Sequence, residues 1–222
     1  MSRKPGTKQA LFGQLGLIAS AFSSPARLEI LDYLAQCERS VDALARVTGL
    51  SVANTSKHLR QLRQAGLVDA RKEGLHVFYR MSGDDVLSAI AAMRVLAQSR
   101  LTEVDQLIDT YLTSKDKLEP MQADELMEKA SDGLVTILDV RPEEEFSQGH
   151  LSGAINIPLG ELEKHLPEFS GDTEVIAYCR GPWCVLSYEA VSILRSKGIR
   201  ARRLEGGLPE WRQEGRPVDR TA

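Results

Sequence analysis

The sequence predicts two domains: a mostly helical domain that contains a β-hairpin, followed by an α/β domain built on a parallel sheet. Its 222 residues are enough for two hydrophobic cores of about 100 residues each. The apolar pattern changes near residue 114 from helical spacing to short apolar runs that alternate with helices. The charge changes as well. The first 118 residues carry 16 Lys and Arg against 12 Asp and Glu, whereas the rest of the chain carries 12 against 19.

Composition excludes several classes of protein. The hydrophobic share of 42% and the charged share of 27% are typical of a globular chain. No apolar run approaches the roughly 20 residues that a membrane span needs, and the N-terminus lacks the features of a signal peptide, so no membrane partner is expected. Three cysteines do not make a disulfide framework and indicate a reducing, cytoplasmic location. A basic half joined to an acidic half suggests a nucleic-acid partner for the first half alone.

Helix and hairpin signals follow one another through the first half. Ser24-Pro25 is a typical helix start, and Ser40 caps a short helix that ends before Gly49. Ser51 caps the next helix, and two short helices joined by a turn with glycine are typical of a helix-turn-helix. Residues 67–82 have β-prone ends around Arg-Lys-Glu-Gly and predict a hairpin. The first domain is therefore predicted to be a winged helix-turn-helix.

The second helix of the pair presents short polar and basic side chains that suit the major groove of double-stranded DNA. We expect these residues to face base edges: Ser51, Asn54, Lys57, His58 and Gln61. We expect phosphate contacts from a second group: Arg60, Arg63, Arg71, Lys72, His76 and Arg80. The alternative is a solvated basic helix beside an unrelated hairpin. Helix order, hairpin and charge together favour DNA binding.

A long amphipathic helix is predicted after the hairpin, over residues 84–112. Its apolar residues recur at spacings of three and four, and they are Val86, Ile90, Met93, Ala97, Leu101, Val104, Ile108 and Tyr111. This stripe is longer than a small domain needs for its own core, so it predicts a homodimer interface. The polar segment 114–120 ends at proline and predicts a linker. The predicted domains are therefore residues 1–113 and 121–219.

The first half resembles the ArsR-type winged-helix repressors over most of residues 15–112. The specific part is SKHLRQLRQAGLV followed by a basic hairpin and a tyrosine. The resemblance implies a homodimer on a palindromic operator, usually released by an inducer. The family's metal-sensing cysteines are missing from SVDALARV, and Asp105 and Asp109 occur without a histidine on the long helix. Asp32 stands where persulfide-sensing members have one cysteine, and Cys37 is interpreted as a small, semi-buried side chain. The first domain thus lacks its family's sensor.

Two short apolar runs mark buried parallel strands in the second half, at residues 134–140 and 174–179. Helices are predicted at 122–131, 161–168 and 185–197. Cys179 ends the second strand, and a tight loop then leads into a helix. Loop N–H groups and the helix dipole favour an anion there, which should lower the pKa of Cys179, and Arg180 adds positive charge. The cradle loop Gly181-Pro182-Trp183 could hold a thiolate, a persulfide or an oxyanion.

The second half resembles the rhodanese domain across residues 120–219, through three motifs in the right order. They are ILDVRPEEEFSQGHLSGAINIPL, VIAYCRGPWC and LEGGLPEW. The resemblance implies a sulfurtransferase in which Cys179 takes sulfane sulfur from a donor as a persulfide and passes it to a thiol acceptor. Asp139 and Arg141 would shape the site, although a structural ion pair that braces the loop is the favoured interpretation.

The cradle loop departs from the usual rhodanese pattern at two positions. Pro182 stands where glycine is common, and Cys184 stands where a cation often lies. The missing cation disfavours thiosulfate and favours a persulfide or polysulfide donor. Cys184 is either a resolving cysteine or a buried thiol, and both interpretations stay open. Two cysteines without clustered histidines do not suit zinc, so neither a metal nor a cofactor is expected.

Two functions follow from these motifs. In the first, the chain is a transcriptional repressor whose rhodanese domain couples sulfur status to operator binding. In the second, it is mainly a sulfurtransferase, and the winged helix serves for dimerisation or localisation.

Overall fold

The computed structural model of the chain describes residues 6–116, 119–169 and 173–221. Residues 117 and 118 of the predicted linker 114–120 lie outside this range. The chain divides into two compact units, Met1–Ala92 and Met93–Ala222. Within the described residues, no helix combines the length and the apolar character needed to cross a membrane.

Local capping signals set the helices of the first unit. Ser40 Oγ accepts a hydrogen bond from the N–H of Ala43 at 3.2 Å, and Ser51 Oγ accepts one from Asn54 at 3.3 Å. Gly49, at φ +67°, ends the helix between them in a left-handed conformation. The described residues before the wing form α1 (Thr7–Phe22), α2 (Pro25–Gln36), α3 (Val41–Thr48) and α4 (Val52–Gln64).

The predicted hairpin forms the wing of this unit. Strands β2 (Val68–Glu73) and β3 (His76–Met81) pair antiparallel, and the short strand β1 (Arg39–Ser40) pairs with the other edge of β3. Gly74, at φ +58°, turns the hairpin. The prediction of a winged helix-turn-helix is confirmed.

The prediction of a single helix over residues 84–112 is wrong, because the helix that begins at Asp84 ends before Leu101. Helix α5 (Asp84–Arg100) is followed by α6 (Thr102–Ile108) and a π-helical turn, Asp109–Thr113. Leu101 has an extended backbone, φ −117° and ψ 102°. The hydroxyl of Ser99 donates to the Leu96 carbonyl at 3.0 Å, a bond that competes with the helical pattern just before the break.

The break also divides the apolar stripe that the sequence predicts. Val86 and Ile90 are buried, whereas Leu101 and Tyr111 are exposed. Leu112, off the stripe, is buried in the π-helical turn, which packs against the helix Val185–Ser196 within the second unit. The stripe therefore does not form one continuous face.

A four-stranded parallel sheet forms the centre of the second unit, in the order β6-β4-β7-β8. Its strands are β4 (Val135–Asp139), β6 (Ile155–Asn156), β7 (Glu174–Cys179) and β8 (Ala201–Gly207). A separate antiparallel pair joins β5 (His150–Leu151) to β9 (Val218–Asp219). The helices are α7 (Ala123–Ser131), α8 (Glu143–Gln148), α9 (Leu162–His165), α10 (Val185–Ser196) and α11 (Leu208–Gln213).

Strand β7 is buried on both faces, as its apolar sequence predicts. Val175, Ala177 and Cys179 belong to the core that includes α10, while Ile176 and Tyr178 belong to the core that includes α7 and α11. Cys179 thus reaches the end of the sheet as part of a packed apolar core. The prediction of an α/β domain with a parallel sheet is confirmed.

Candidate functional site

Helix α4 carries the predicted base-reading residues on its outer side. Ser51, Asn54, Lys57 and Gln61 are exposed, and His58 is half-buried. Burial, together with the nearby charges of Arg27 and Lys57, lowers the pKa of His58 below its usual value. His58 is therefore more often neutral near pH 7, as a hydrogen-bonding side chain rather than a cation. The geometry suits readout of base edges, which use donors and acceptors more than net charge.

Arg27, which the sequence does not single out, holds one of these residues in place. Its Nη1 donates to Gln61 Oε1 at 2.8 Å, while Nε donates to the Ala21 carbonyl at 2.6 Å and Nη2 to the Ser20 carbonyl at 2.7 Å. A buried arginine with three different acceptors has a fixed position. Gln61 is thus oriented by the domain core before any DNA arrives.

The cations predicted to contact phosphates lie on α4 and on the wing, and they fall into two groups. Arg71 forms ion pairs with Glu73 and, at 2.7 Å, with Glu38, and Arg80 pairs with Asp69 at 3.1 Å. Three further cations are exposed and form no ion pair with any other described residue: Arg60, Arg63 and Lys72. His76 is exposed at the start of β3. The unpaired cations can meet phosphates directly, whereas Arg71 and Arg80 must first leave their carboxylates.

In the second unit, the cradle loop lies between the end of β7 and the start of α10. Cys179 is the last residue of β7, and Cys184 is the N-cap of α10. Gly181 has φ +156°, a conformation that side chains rarely adopt. Gly207 of β8 lies against the loop so closely that an added Cβ would be 2.5 Å from the Cys179 carbonyl oxygen. A glycine at 207 is what allows this approach.

Cys179 is fully buried and behaves as a thiol. Its Sγ donates to Ser187 Oγ at 3.2 Å and lies 3.5 Å from the Cys184 carbonyl oxygen. Burial raises the pKa of Cys179 well above its ordinary value of 9.0, and the neighbouring Cys184 side chain raises it further. The expectation that the loop lowers the pKa of Cys179 is therefore wrong, because loss of solvation outweighs the loop N–H groups.

Cys184, the second cysteine of the loop, is half-buried. A hydrogen bond from the Cys179 side chain lowers the pKa of Cys184 to about 7, and the backbone N–H groups of Arg180 and Leu186 act in the same direction. The surroundings that favour a thiolate therefore lie at the second cysteine of the loop.

Arg180 is paired with a carboxylate that the sequence does not single out. Its Nε lies 3.0 Å from both carboxylate oxygens of Glu145, and its Nη2 donates to Glu145 Oε1 at 2.7 Å. Glu145 is fully buried at the start of α8, so its charge requires this partner. The positive charge next to Cys179 is largely neutralised.

Asp139 and Arg141 form a completely buried ion pair with 2.6 Å between Arg141 Nη2 and Asp139 Oδ2. Arg141 Nη2 also donates to the Gly149 carbonyl at 2.8 Å, and the Asn156 amide donates to the carbonyls of both residues of the pair. This network joins the ends of β4 and β6. Neither charged side chain is exposed to solvent, and the geometry is that of a brace.

A cavity of about 170 Å³ lies beside the cradle loop, within the second unit. Gly181, Pro182 and Trp183 line one part, and other lining residues include Gln98, Ile108, Ser187, Tyr188 and Arg203. The Arg94 guanidinium lies 5.6 Å from the centre of the Trp183 ring, and its Nη1 is 3.4 Å from Glu210 Oε1. Residues of α5 and α6 therefore contribute to the surroundings of the loop, which the sequence does not show.

No group of three or more His, Cys, Asp or Glu side chains is placed to hold a metal ion in the described part of the chain. Cys37, the third cysteine, is buried at the C-terminal end of α2.

Comparison with known proteins agrees with this division of the chain. The family model of bacterial regulatory proteins of the arsR family matches residues 24–70, and that of the rhodanese-like domain matches residues 122–214. An HTH-type transcriptional regulator of Mycobacterium tuberculosis is 41% identical over 222 residues, covering 100% of this chain and 97% of the relative. A sulfurtransferase of Allochromatium vinosum is 31% identical over 85 residues, covering 38% of this chain and 78% of that protein.

Among solved structures, the homodimeric winged helix-turn-helix DNA-binding domain of a possible ArsR-family regulator from Mycobacterium bovis is similar to this chain. It is 40% identical, with a TM-score of 0.41, and covers 46% of this chain and 94% of that one.

A winged helix-turn-helix joined to a rhodanese-like domain defines a class of transcriptional regulators. The similarity to the Mycobacterium tuberculosis regulator extends over the whole chain, so both domains belong to this class. The chain belongs to the family of ArsR-type HTH transcriptional regulators with a C-terminal rhodanese-like domain.

Proposed function

We propose that this regulator is a homodimeric repressor that binds a palindromic operator and that senses sulfane sulfur as a persulfide on Cys179. The observation that carries the sulfur function is the loop between β7 and α10, where two cysteines share hydrogen bonds at the end of a buried parallel strand. The first unit has only Cys37, which is buried. Sulfur chemistry is thus concentrated in the rhodanese-like domain.

DNA binding is assigned to the exposed side of α4 and to the wing. Ser51, Asn54, Lys57 and Gln61 would face the major groove, with His58 beside them, and exposed Arg63 and Lys72 would contact phosphates. The oriented Gln61 amide supports this assignment, since a preorganised side chain loses less conformational freedom on binding.

Dimerisation is assigned to apolar surface on α1 and α5. Leu11, Phe12 and Leu15 on α1 are each more than 60% exposed, and Val95 and Leu96 on α5 are also exposed. Apolar side chains in such number are typical of a protein interface. The sequence predicts only the helix after the wing for this role, so α1 is an addition.

Coupling between the two functions is assigned to α5. This helix begins at Asp84 in the first unit and ends at Arg100 in the second, and Arg94 near its middle contacts both Trp183 and Glu210. A change in the cradle loop on sulfur loading would disturb these contacts, and α5 would carry the change toward the dimer interface.

The test compares operator affinity before and after polysulfide treatment, in the wild type and in Cys179→Ser. We expect the affinity of the wild type to change and that of Cys179→Ser to stay constant. Equal affinity in all four samples would refute the coupling. Cys37→Ala serves as the matched control and should respond as the wild type does.

The second candidate is a chain that acts mainly as a sulfurtransferase, which the similarity to the Allochromatium protein favours. Sustained turnover with a persulfide donor and a thiol acceptor, without sequence-specific DNA binding, would support it. A single loading event together with operator binding would support the sensor.

A further inference from the structure

The two cysteines of the cradle loop differ in their access to a donor. Cys179 has no exposed surface, since its sulfur lies beneath the loop among apolar residues of the α10 core. Cys184 is half-buried at the N-terminal end of α10 and follows Trp183, which is 42% exposed. A donor molecule therefore reaches Cys184 before it can reach Cys179.

We propose that Cys184 is the entry thiol, which takes sulfane sulfur from a small persulfide donor and relays it to Cys179. This inference rests on the proposed function, because it concerns the route by which Cys179 is loaded. It differs from a resolving role, in which Cys184 acts only after Cys179 has been modified.

Hydrogen bonding and charge agree with this order. Cys179 Sγ donates to Ser187 Oγ at 3.2 Å and lies 3.5 Å from the Cys184 carbonyl oxygen, and its complete burial raises the pKa of Cys179. The neighbouring Cys179 side chain and the backbone of Arg180 and Leu186 lower the pKa of Cys184, which favours its thiolate. At pH 7 the lowered pKa of Cys184 gives it more thiolate than an ordinary cysteine has, whereas the raised pKa of Cys179 keeps that residue as the thiol.

The relay has two balanced steps. In the first, the Cys184 thiolate attacks the outer sulfur of R–S–SH, the donor S–S bond breaks, and RS⁻ leaves with the electron pair. In the second, Cys179 Sγ attacks the outer sulfur now on Cys184, and the S–S bond on Cys184 breaks. The electron pair of that bond stays on the Cys184 sulfur, which takes up the proton released by Cys179. One sulfur atom is moved with no net oxidation or reduction, and the products are a Cys179 persulfide and a Cys184 thiol.

The charges around the loop indicate the class of donor. Arg180 is neutralised by Glu145, and Arg203 in the adjacent cavity pairs with Asp116 at 2.7 Å. Neither cation is free to bind a dianion such as thiosulfate. Trp183 and Pro182 are exposed on the loop, and an apolar surface suits the persulfide of a small organic thiol.

The test is single-turnover loading of the full chain with cysteine persulfide at pH 7, followed by peptide mass spectrometry. The wild type should gain about 32 mass units on the Cys179 peptide fragment. In Cys179→Ser the added sulfur, again about 32 mass units, should be found on the Cys184 peptide fragment, because it cannot pass on to residue 179. In Cys184→Ser the loading of Cys179 should be slowed about tenfold, because its small thiolate fraction outweighs the higher intrinsic nucleophilicity of a thiol with a raised pKa. Cys37→Ala is the matched control and should load as the wild type does.

The outcomes separate the relay from the proposed function. Loading of Cys179 at the wild-type rate in Cys184→Ser would refute the relay and leave the sensor standing, and a resolving role predicts that result. Absence of sulfur on Cys184 in Cys179→Ser would refute the relay independently, even if Cys184→Ser does not fold. Absence of sulfur from both cysteines of the wild type would refute the proposed sulfur function itself.

The pH dependence of loading gives a further readout. Below the pKa of Cys184 the entry thiol is protonated and unreactive, so the loading rate should rise with pH and level off above about 7. Cys184→Ser should lose this inflection, and an unchanged profile in that variant would contradict the relay.

Discussion

Substitution of Gly207 by alanine should displace the cradle loop and slow sulfur loading. An alanine Cβ at this position would lie 2.5 Å from the Cys179 carbonyl oxygen and 2.6 Å from both the Arg180 carbonyl carbon and the Gly181 nitrogen. Ordinary contacts of this kind begin near 3.4 Å, and all three atoms belong to the backbone, so none can rotate away. Strand β8 and the loop must therefore move apart by about 1 Å.

The magnitude follows from this displacement. Overpacking of a closely packed region lowers the free energy of unfolding by about 1–3 kcal/mol. A shift of about 1 Å in reacting groups reduces a rate by up to about a hundredfold. We therefore expect Gly207→Ala to lower the free energy of unfolding by about 2 kcal/mol, and to load sulfur much more slowly than the wild type.

Tryptophan fluorescence during urea unfolding measures the change in the free energy of unfolding of the second unit. Both tryptophans of the chain, Trp183 and Trp211, lie in the second unit, so the signal reports that unit. A loss of about 2 kcal/mol moves the urea midpoint by about 1 M for a unit of this size. Peptide mass spectrometry with cysteine persulfide measures the second effect.

Gly160→Ala is the matched control, because an added Cβ there meets nothing within 4 Å and the backbone is not left-handed. It should unfold and load sulfur as the wild type does. If Gly207→Ala unfolds at the same urea concentration and loads at the same rate as Gly160→Ala, the close approach of β8 does not shape the loop, and our reasoning is wrong.

Three other substitutions test other parts of the molecule. Glu145→Gln leaves half-buried Arg180 without its counter-charge and should lower the free energy of unfolding by about 2 kcal/mol, measured by the same fluorescence assay. Exposed Glu143→Gln should have no measurable effect. Arg63→Ala should weaken DNA binding about equally for all sequences. The slope of log affinity against log salt concentration should fall by about 1 in magnitude. A loss of sequence specificity without this change in slope would contradict a phosphate contact by Arg63. Arg94→Gln should load sulfur as the wild type does, but its operator affinity should respond less to sulfur. Exposed Arg100→Gln, on the same helix, should keep both the loading and the response. An unchanged response in Arg94→Gln would show that the contact between Arg94 and Trp183 takes no part in the coupling.

Elements with local signals were predictable from sequence. Helices α3 and α4 begin at serine caps whose hydrogen bonds involve residues only three positions apart, and a left-handed glycine ends α3. The strand before Cys179 reads as an uninterrupted apolar run because it is covered on both faces. These features depend on residues close together in the sequence, or on burial that an apolar run directly indicates.

The break at Leu101 had no such signal. No proline or glycine lies between residues 84 and 112, so the periodic pattern predicts one helix. The structure instead has an extended residue at Leu101, and beyond it the π-helical turn packs on α10, a contact between segments far apart in sequence.

The sequence by itself determined the two domains, the helix-turn-helix and the loop that carries the two cysteines, because each has a local pattern of residue types. Only the tertiary structure decided which cysteine is fully buried and which is partly accessible. The order strand, loop and helix favours an anion anywhere in the loop, but the pKa of each thiol depends on its solvation and its hydrogen-bond partners. Cys179 is fully buried, which raises its pKa, whereas Cys184 is half-buried at the start of α10 and its pKa is lowered. The burial and the hydrogen-bond partners of the two cysteines result from the packing of β7, β8 and α10. The spacing of residues in the sequence does not predict them.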